Sequence, residues 1–376
     1  MRIAILHASA GHGHAQAAAS IREGFLFYGV PENDILVLDS LDETPAWFKK
    51  FYTSLYYYSV KHTPRIWGAS YALLDQAWFY NTLGYPVRRL INGWAGGRIL
   101  ERMKREKPDA ILFTHFLAPE VLGHAKKNGE ISSLLLTVIT DFLPHRFWIN
   151  SGVDHYWVMS DEGKQIIEGW GVGPEKVTAG GIPVALRFRP AGAKKECRRK
   201  EDLDEDRFTL LITSGSFGLG PTEEVLRTLR EFGNRIQVIA VCGRNQNLFE
   251  TLNKESYPFK VKLYGFVSHM DELMEASDLI VAKPGGATTS ESLAKGLPVA
   301  VLEPIPGQEA GNARLLRERN AAFFLKHPTD IRIILKAIFD YPAVLAEKKR
   351  SIDALAKPDA ARDVARFVLD RLESKR

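Results

Sequence analysis

Residues 279–295 read LIVAKPGGATTSESLAK, and this stretch does most to decide the fold class. It opens on a short apolar run, as expected of a strand that is buried on both faces of a sheet. The glycines Gly285 and Gly286 interrupt the run, and a helical pattern follows them. A buried strand, a glycine turn and a helix in succession form the repeating unit of an α/β protein with a parallel sheet.

The turn in this stretch also has the features of an anion-binding site. Glycines let the backbone approach a ligand closely, and the free N–H groups at the start of a helix attract phosphate. Thr288 and the two hydroxyl residues after it add donors, while Glu291 lies where a carboxylate can accept hydrogen bonds from ribose hydroxyls. A turn that is merely capped accounts for the same residues, so this stretch alone leaves both interpretations open.

Apolar runs of the same kind occur along the whole chain and alternate with helical patterns. They predict strands at residues 3–7, 35–39, 110–114, 134–140 and 156–160, and again at 209–213, 236–242, 261–264, 279–282, 299–302 and 322–325. Two such series predict an α/β fold in which two Rossmann-like domains face each other across a cleft. We expect an N-terminal domain at 1–190, a C-terminal domain at 205–340, and helices at 341–376 that pack back on the N-terminal domain. The dense charge run at 193–207 is expected to be an exposed linker or the close of the first domain.

The composition is that of a globular protein. The chain has 376 residues, of which 45% are hydrophobic and 25% charged, which argues against disorder. Without a long apolar run, a signal peptide or more than two cysteines, it is expected in the cytoplasm. The net charge of +5 fits nucleic acid, an anionic membrane, acidic substrates or a solvated surface without a partner. Neither a P-loop nor a metal-binding C-x-x-C or H-E-x-x-H pattern occurs, so no metal site is predicted.

A second glycine turn follows the first predicted strand of the C-terminal half. It contains Ser214, Gly215, Phe217 and Gly218, and the same argument from helix termini makes it an anion-binding candidate. Arg244 ends the next predicted strand, where it can pair with a diphosphate, although an exposed arginine without contacts explains it equally well. Our hypothesis is that backbone amides of the two glycine turns converge on one pyrophosphate.

A polar loop at 304–312 follows the strand predicted at 299–302. Its side chains Gln308, Glu309 and Asn312 can donate hydrogen bonds to sugar hydroxyls or accept them. A loop with a purely structural role is the alternative, but loops that follow strands are favoured positions for functional residues.

The first turn of the chain carries histidines. His12 and His14 follow the first predicted strand, and histidine is the usual general base near neutral pH. Helix capping or a hydrogen bond within the loop would explain either histidine as well. Asp39 and Asp42 follow the second predicted strand, where a carboxylate can orient or replace that base. Asp141 ends another strand at the same edge of the sheet.

Residues 47–85 differ from the rest of the chain in their aromatic content. They hold seven of the twelve tyrosines and three of the seven tryptophans, interleaved with lysines and arginines. Trp and Tyr favour the membrane–water interface, and basic residues favour anionic headgroups. An aromatic-rich pair of core helices over the sheet is the alternative.

Taken together, these motifs resemble the family of monogalactosyldiacylglycerol synthases and processive diacylglycerol glucosyltransferases, which are GT-B glycosyltransferases of family 28. The matching motifs, in chain order, are ASAGHGHAQAA at 8–18, ITDF at 139–142, His145, FW at 147–148, GIP at 181–183, CGRN at 242–245, KPGGATTSE at 283–291 and PIPGQEAGN at 304–312. Each motif alone is unspecific, whereas the combination spans residues 3 to about 320.

The resemblance implies an inverting transfer of a hexose from a UDP-sugar to the hydroxyl of a diacylglycerol. It implies no metal. We expect no cofactor besides the donor substrate, no nucleic acid partner, and a peripheral position on the inner face of the cell membrane. His14 would act as the base or orienting group, with Asp39 or Asp42 in reserve. The donor residues it implies are Gly286, Ala287 and Thr288 for the diphosphate, Glu291 for the ribose, the backbone near Phe266 and Val267 for the uracil, and Glu309 with Asn312 for the sugar.

Three alternatives remain open from the sequence. A sugar-nucleotide epimerase shares the fold and a UDP site, and a polyprenyl-lipid glycosyltransferase differs only in its acceptor. A nucleotide-sensing protein would bind UDP without turnover. Fold analogy does not exclude any of them, and the motifs do not distinguish galactose, glucose and N-acetylglucosamine.

Overall fold

The chain forms two compact units, described here from a computed structural model that covers residues 1–9, 11–215, 218 and 220–374, without the side chains of residues 56, 60 and 61. The first unit comprises Met1–Leu186, Ile305–Gly311 and Asp359–Arg376. The second unit comprises Arg187–Pro304 and Asn312–Pro358. Two segments from the C-terminal half of the chain therefore belong to the first unit.

The first unit is built on a sheet of six parallel strands. The strands are β1 (Ile3–His7), β2 (Ile35–Asp39), β3 (Ala110–Phe113), β4 (Leu134–Val138), β5 (His155–Val158) and β6 (Val177–Ala179). The helices are α1 (His12–Phe27), α2 (Ala46–His62), α3 (Pro64–Leu74), α4 (Ala77–Phe79), α5 (Tyr85–Ala95), α6 (Gly97–Glu106), α7 (Ala118–Lys127) and α8 (Asp161–Glu168), with a π-helical turn at Tyr80–Gly84. The five strands predicted for this part of the chain are confirmed, and the three-residue β6 was too short to be recognised as an apolar run.

The strand order β2-β1-β3-β4-β5-β6 places β1, the first strand of the chain, next to the switch point of the sheet. The chain runs from β1 outward to β2 and then crosses back to β3 on the other side of β1, so β1 and β3 form a topological switch point. Ligands of open parallel sheets bind outside the carboxyl ends of the strands at such points. A ligand site in this unit is therefore expected at the turns after β1 and β3.

The second unit holds another sheet of six parallel strands. The strands are β7 (Phe208–Thr213), β8 (Ile236–Val241), β9 (Lys260–Tyr264), β10 (Leu279–Ala282), β11 (Val299–Val301) and β12 (Ala322–Phe324), all of which were predicted. The helices of the C-terminal half are α9 (Lys194–Lys200), α10 (Thr222–Thr228), α11 (Gln246–Asn253), α12 (Met270–Glu275), α13 (Gly286–Lys295), α14 (Gln308–Glu318), α15 (Ile331–Asp340), α16 (Ala343–Leu355) and α17 (Ala360–Glu373). The order β12-β11-β10-β7-β8-β9 puts the switch point between β7 and β10.

The core of the first unit has a layer of helices on each face of its sheet. On one face, α1 and α17 bury Ile21, Phe25, Val364 and Val368 against the strands. On the other face, α2, α6 and α7 bury apolar side chains such as Met103. The helix α17 thus completes a core whose other members lie early in the chain, and the next helix back, α16, belongs to the second unit.

The expectation of an exposed linker at 193–207 was wrong for its first half, which forms α9. Arg198 on this helix is buried, and its guanidinium donates to the Ala276 and Glu205 carbonyls at 2.9 and 2.7 Å and to Asp278 at 2.5 Å. The sequence of a charge run does not indicate that one of its arginines donates hydrogen bonds to three acceptors within the folded chain. The acidic residues Asp202 and Asp204, farther along, form surface ion pairs with lysine and arginine side chains.

Candidate active site

His14 lies in the first turn of α1, at the switch point of the first unit. Its Nδ1 is 2.7 Å from the Thr114 carbonyl oxygen and 2.9 Å from the Thr140 hydroxyl, so the ends of β3 and β4 both hold the ring. The Thr114 hydroxyl donates to the His14 carbonyl at 2.9 Å. Because a carbonyl oxygen only accepts hydrogen bonds, the proton of the neutral ring lies on Nδ1. The lone pair on Nε2 is therefore the one that can accept a proton.

The surroundings keep His14 neutral. Burial lowers its pKa from 6.5 to about 4, a shift that the hydrogen bond to Thr114 opposes only in part. A buried cation is costly unless it is paired, so the imidazole stays unprotonated throughout the neutral range. His14 thus has the protonation state that a general base needs before it accepts a proton.

A second histidine, His115, was missed by the sequence analysis. Its ring meets the His14 ring edge-on, with centroids 4.8 Å apart, and its Nδ1 accepts a hydrogen bond from the Leu117 N–H at 3.2 Å. Burial, together with the neighbouring His14, holds the pKa of His115 well below its usual value. The signal was available, because His115 follows a predicted strand and so lies at the same sheet edge as His14.

The predicted reserve bases Asp39 and Asp42 form a brace between the ends of β1 and β2. Asp39 accepts hydrogen bonds from the Ser9 and Leu41 N–H groups at 3.1 and 3.0 Å. Lys49 lies 3.3 Å from Asp39 and also pairs with Asp42. Burial opposes ionisation of Asp39, but these hydrogen bonds outweigh it and lower its pKa. Because the Asp39 carboxylate is already engaged by Ser9, Leu41 and Lys49, His14 remains our first choice.

The predicted Asp141 lies after the end of β4 and faces the same region. Its Oδ2 accepts a hydrogen bond from the Trp148 Nε1–H at 2.9 Å, and the Trp148 ring lies 6.2 Å from that of His14. Burial raises the pKa of Asp141 to about 6, against the opposing effect of the Trp148 hydrogen bond. Trp148, at the base of this cluster, is fully buried.

In the second unit, the glycine turn of residues 283–286 leads into α13 at the switch point between β7 and β10. The first helical hydrogen bond runs from the Thr289 N–H to the Gly285 carbonyl at 3.0 Å. The N–H groups of Gly286, Ala287 and Thr288 therefore have no acceptor within the helix, and no described side chain caps them. A Cβ added at Gly285 would meet no described atom within 4 Å. This helix start is open to a ligand and carries the partial positive charge that attracts phosphate.

Polar side chains behind this turn lack partners within the described chain. The hydroxyls of Thr289 and Ser290 are buried, and neither has a hydrogen-bond partner among the described residues. Buried hydroxyls without partners are rare in folded proteins and often face a ligand or ordered water. The two hydroxyls extend the polar lining that the sequence predicted from Thr288.

Glu291, the predicted ribose ligand, is buried on the same helix. Burial raises its pKa from 4.5 to about 8; the charge of Arg187 opposes the shift and that of Asp271 adds to it. In the free chain at neutral pH the side chain is therefore a carboxylic acid and not the carboxylate that the sequence suggested. An acid of this kind can donate one hydrogen bond to a ribose diol and accept another.

This raised pKa predicts that replacing Glu291 with Gln removes a pH dependence of stability. The folded chain keeps a proton on Glu291 that the unfolded chain releases above pH 4.5, so the free energy of unfolding should fall as the pH rises toward 8. The expected slope is up to about 1.4 kcal/mol per pH unit, and the Glu291→Gln variant should lack this contribution. Denaturant titrations of both chains across this pH range measure the difference. Parallel slopes for the two chains would contradict the assignment.

The second predicted turn, residues 214–218, lies beside the first because β7 and β10 are neighbouring parallel strands. Gly215 and Gly218 have φ angles of +68° and +63°. A Cβ at Gly218 would lie 2.4 Å from the Cys242 carbonyl oxygen, and the Asn245 side chain donates to the Gly218 carbonyl at 3.0 Å. Ser214 is buried, with its hydroxyl bonded to that of Thr222. Phe217, also predicted here, lies outside the described residues.

Arg244 and Phe266 follow the next two strands along the same edge, β8 and β9. The Arg244 guanidinium carbon lies 5.6 Å from the centre of the Phe266 ring, and Phe266 is 62% exposed. Val267 is half-buried beside it. An exposed aromatic ring under a guanidinium offers both a stacking surface and a positive charge at the sheet edge.

The residues predicted to hold the sugar fall in the segment that enters α14. Glu309 accepts a hydrogen bond from the Ile305 N–H at 2.8 Å, which closes the turn at the start of the helix. Asn312 is buried and donates to the Pro284 carbonyl at 2.8 Å, so it supports the glycine turn before α13. Gln308 and Glu309 belong to the first unit, whereas Asn312 belongs to the second. Among the described residues, no three potential metal ligands lie close enough to hold an ion.

Solved structures share this architecture along nearly the whole chain. Acinetobacter baumannii MurG superposes with a TM-score of 0.60 at 14% identity, covering 98% of this chain and 99% of MurG. Anabaena Alr3699/HepE, solved in complex with UDP-glucose, superposes with a TM-score of 0.57 at 14% identity over 100% of both chains. The two parallel six-stranded sheets therefore define a protein with the GT-B fold of two Rossmann-like domains.

Sequence comparison finds two family models that match successive parts of the chain. Residues 14–184 match monogalactosyldiacylglycerol (MGDG) synthase, and residues 209–361 match the glycosyltransferase family 28 C-terminal domain. The processive diacylglycerol beta-glucosyltransferase of Bacillus thuringiensis (strain Al Hakam) is 29% identical over 388 residues, covering 98% of this chain and 93% of the relative. The two matches together cover most of the chain, and they confirm the resemblance to glycosyltransferases seen in its motifs.

Proposed function

We propose that the chain transfers a hexose from a UDP-sugar to the hydroxyl of a diacylglycerol, with inversion at the sugar C1. The observation that carries this proposal is the similarity to a diacylglycerol glucosyltransferase over 98% of the chain. The donor is proposed by analogy with the UDP-glucose complex of the similarly folded Alr3699/HepE. No predicted site residue is assigned to a metal, and no cofactor is proposed, since the UDP-sugar is a donor substrate.

The second unit supplies what the leaving group needs. As the bond between C1 and the diphosphate oxygen breaks, negative charge grows on UDP. The open N–H groups at the start of α13 point their partial positive charge into that region, and the two glycine turns flank it on neighbouring strands. Preorganised donors of this kind commonly contribute about 3 kcal/mol each to lowering the barrier. Glu291 and the Phe266 region are assigned to the ribose and the uracil.

The first unit supplies the proton acceptor. In the proposed step, the acceptor hydroxyl oxygen forms a bond to C1 while the bond from C1 to the diphosphate oxygen breaks on the opposite face. The hydroxyl proton passes to Nε2 of His14, and the bonding electrons of the broken bond leave with UDP. The transition state has the oxocarbenium character known from glycoside hydrolysis. The Thr114 carbonyl, which accepts from Nδ1–H, holds His14 in the tautomer that this step requires.

The first unit also offers a surface suited to a lipid bilayer, which we assign to membrane docking. Thirteen of the eighteen large apolar side chains that are exposed among the described residues lie between Trp47 and Trp94. They are Trp47, Phe51, Leu55, Tyr57, Tyr58, Ile66, Leu73, Trp78, Leu83, Val87, Leu90, Ile91 and Trp94. Exposure on this scale favours docking over the alternative of an aromatic core pair. Among the described residues, no helix is both long and apolar enough to cross a membrane.

Docking predicts that Leu90→Asp weakens binding to vesicles. Leu90 is 77% exposed on α5, so the change should leave the fold intact. Removing a leucine from lipid contact and adding a negative charge should lower the affinity for anionic vesicles by about tenfold or more. Ile333→Asp, at a 59% exposed position of the second unit, is the matched control. Sedimentation with anionic and zwitterionic vesicles measures both, and equal binding of the wild type to the two lipids would contradict the electrostatic part.

The direct test of the proposed function is incubation with a panel of UDP-sugars and diacylglycerol vesicles, followed by mass analysis of the lipid fraction. A hexosylated diacylglycerol is expected. Isomerised UDP-sugar without any lipid product would instead indicate an epimerase, and a product formed only on a polyprenyl lipid would change the acceptor. Binding of UDP without turnover would leave a sensing role.

A further inference from the structure

Helix α5 (Tyr85–Ala95) exposes apolar side chains and buries polar ones, the reverse of a surface helix that packs on a hydrophobic core. Its outward side chains are apolar and 45–77% exposed: Val87, Leu90, Ile91 and Trp94. Its inward side chains include Arg88, whose side chain is only 12% exposed, and Asn92, which is buried. A helix that turns its polar face inward and its apolar face outward fits a position between the protein and a lipid surface.

The inward polar residues of α5 form hydrogen bonds and an ion pair with other parts of the first unit. Arg88 donates to the Phe147 carbonyl and to the Asn150 side chain, both at 2.6 Å. Its Nε lies 2.8 Å from Glu120 on α7, which also accepts a hydrogen bond from Asn92 at 2.6 Å. The two terminal nitrogens of the Arg88 guanidinium thus donate to two acceptors in one short segment, the Phe147 backbone carbonyl and the Asn150 side-chain oxygen.

That segment, residues 145–150, borders the proposed acceptor site. His145 opens it by donating from Nε2 to the Tyr71 carbonyl of α3 at 2.9 Å, and its Nδ1 accepts from the Phe147 N–H at 3.1 Å. Trp148 lies next to the proposed catalytic residue His14. The centres of the two rings are 6.2 Å apart, and the Trp148 Nε1–H donates a hydrogen bond to Asp141. Residues 145–150 therefore contact both the helices of the exposed apolar surface and the cluster around His14.

We propose that Arg88 is a positioning residue that ties the lipid-facing helix α5 to residues 145–150, and thereby sets the geometry of the acceptor site around His14. The inference rests on the proposed function, since it concerns transfer to a lipid. A mutual displacement of about 1 Å between reacting groups commonly costs about a hundredfold in rate. Loss of the Arg88 contacts frees residues 145–150 from α5 without touching the second unit, where the donor is assigned.

A purely structural role for Arg88 makes a different prediction. Buried ion pairs contribute little net stability compared with apolar residues of similar size, so stability alone does not account for an arginine here. A structural arginine would affect folding and every activity together. A positioning arginine would affect the turnover of the lipid acceptor and leave the binding of UDP as it is.

The test compares Arg88→Gln with Arg89→Gln, its exposed neighbour on the same helix. Both changes remove one positive charge from α5, and kcat is compared at saturating vesicle concentration so that a difference in vesicle affinity does not enter the comparison. We expect Arg88→Gln alone to lower kcat for diacylglycerol at saturating vesicle concentration by about tenfold to a hundredfold, with the Kd for UDP within about twofold of the wild type. Equal kcat values for the two variants would overturn the proposal.

Two further variants keep the test decisive if Arg88→Gln folds poorly, since it leaves Glu120 buried without its partner. The double variant R88Q/E120Q removes both charges and should melt near the wild type while it keeps the low kcat. Asn150→Ala removes one contact from the other side, and combining it with Arg88→Gln should lower kcat no further than Arg88→Gln alone. Additive effects, or a parallel loss of UDP binding, would mean that Arg88 does not act through this segment. If the wild type itself forms no glycolipid, the proposed function fails and not this inference alone.

Discussion

The His14→Ala variant is expected to lose transfer to diacylglycerol almost completely while it still binds UDP. General base catalysis contributes typically about 10²–10⁴-fold, so kcat should fall within that range. The donor residues assigned in the second unit are unchanged, and the Kd for UDP should therefore stay at the wild-type value. Turnover measured with vesicles and UDP binding measured by calorimetry test the two halves of this expectation. Normal turnover in this variant would remove His14 from the mechanism.

His14→Gln separates proton transfer from positioning. The glutamine amide can donate a hydrogen bond to the Thr114 carbonyl as Nδ1 of His14 does, but it cannot accept a proton. This variant should therefore be as slow as His14→Ala, whereas recovery of the rate would mean that His14 only orients the loop. His124→Ala, which removes an exposed histidine of the same unit, is the control.

The pH profile of the wild type gives an independent reading of the same residue. Because burial lowers the pKa of His14 to about 4, its neutral form persists well below the ordinary histidine range. The rate that depends on neutral His14 should hold as the pH falls through 6.5 and decline only near 4, as long as the chain stays folded. An acid limb centred at 6.5 that disappears in His14→Gln would contradict the buried environment.

The second large effect is expected for Gly285→Leu. A Cβ at this position meets no described atom within 4 Å, and the φ angle of −69° suits any residue, so the fold should tolerate the change. The added side chain would project at the open start of α13 and displace a diphosphate from its N–H groups. A hydrogen bond to a charged group contributes about 1.5–3 kcal/mol, so the loss of one weakens UDP binding by about tenfold to a hundredfold.

Gly97→Leu is the matched control, because an added Cβ there also meets no described atom within 4 Å but lies at the start of α6 in the first unit. The two variants should melt alike, and only Gly285→Leu should lose UDP in calorimetry. Undiminished UDP affinity in Gly285→Leu would place the diphosphate elsewhere and would leave the assignment of residues 285–291 without support.

The strands of both sheets were predictable because strands buried on both faces are continuous apolar runs, which need no knowledge of neighbours. The three-residue β6 escaped the same criterion because of its length. The two switch points were not predictable to the same degree, since strand order depends on crossovers that a single sequence does not specify. Once the order is known, the turns around His14 and Gly285 both fall at switch points.

Burial is the property that the sequence could not supply. The protonated state of Glu291 and the internal partners of Arg198 depend on what surrounds them, and local pattern carries no such information. Helix α5 illustrates the same limit, because a 3.6-residue period reveals that one face is apolar but not whether that face points inward. The predicted aromatic run ends at Tyr85, whereas the exposed apolar surface continues to Trp94.

The close packing of α17 on α1 has a consequence for how the protein is made. A Cβ at Gly24 would lie 2.2 Å from the Ala361 carbonyl oxygen, so the two helices meet almost backbone to backbone. During synthesis the strands of the first unit emerge early, yet the layer that α17 completes is missing until residues 360–373 have left the ribosome. The second unit, whose strands lie within one continuous stretch, can mature while the first still waits for its last helix. The first unit, although translated first, can therefore complete its hydrophobic core only after the second unit has been synthesised.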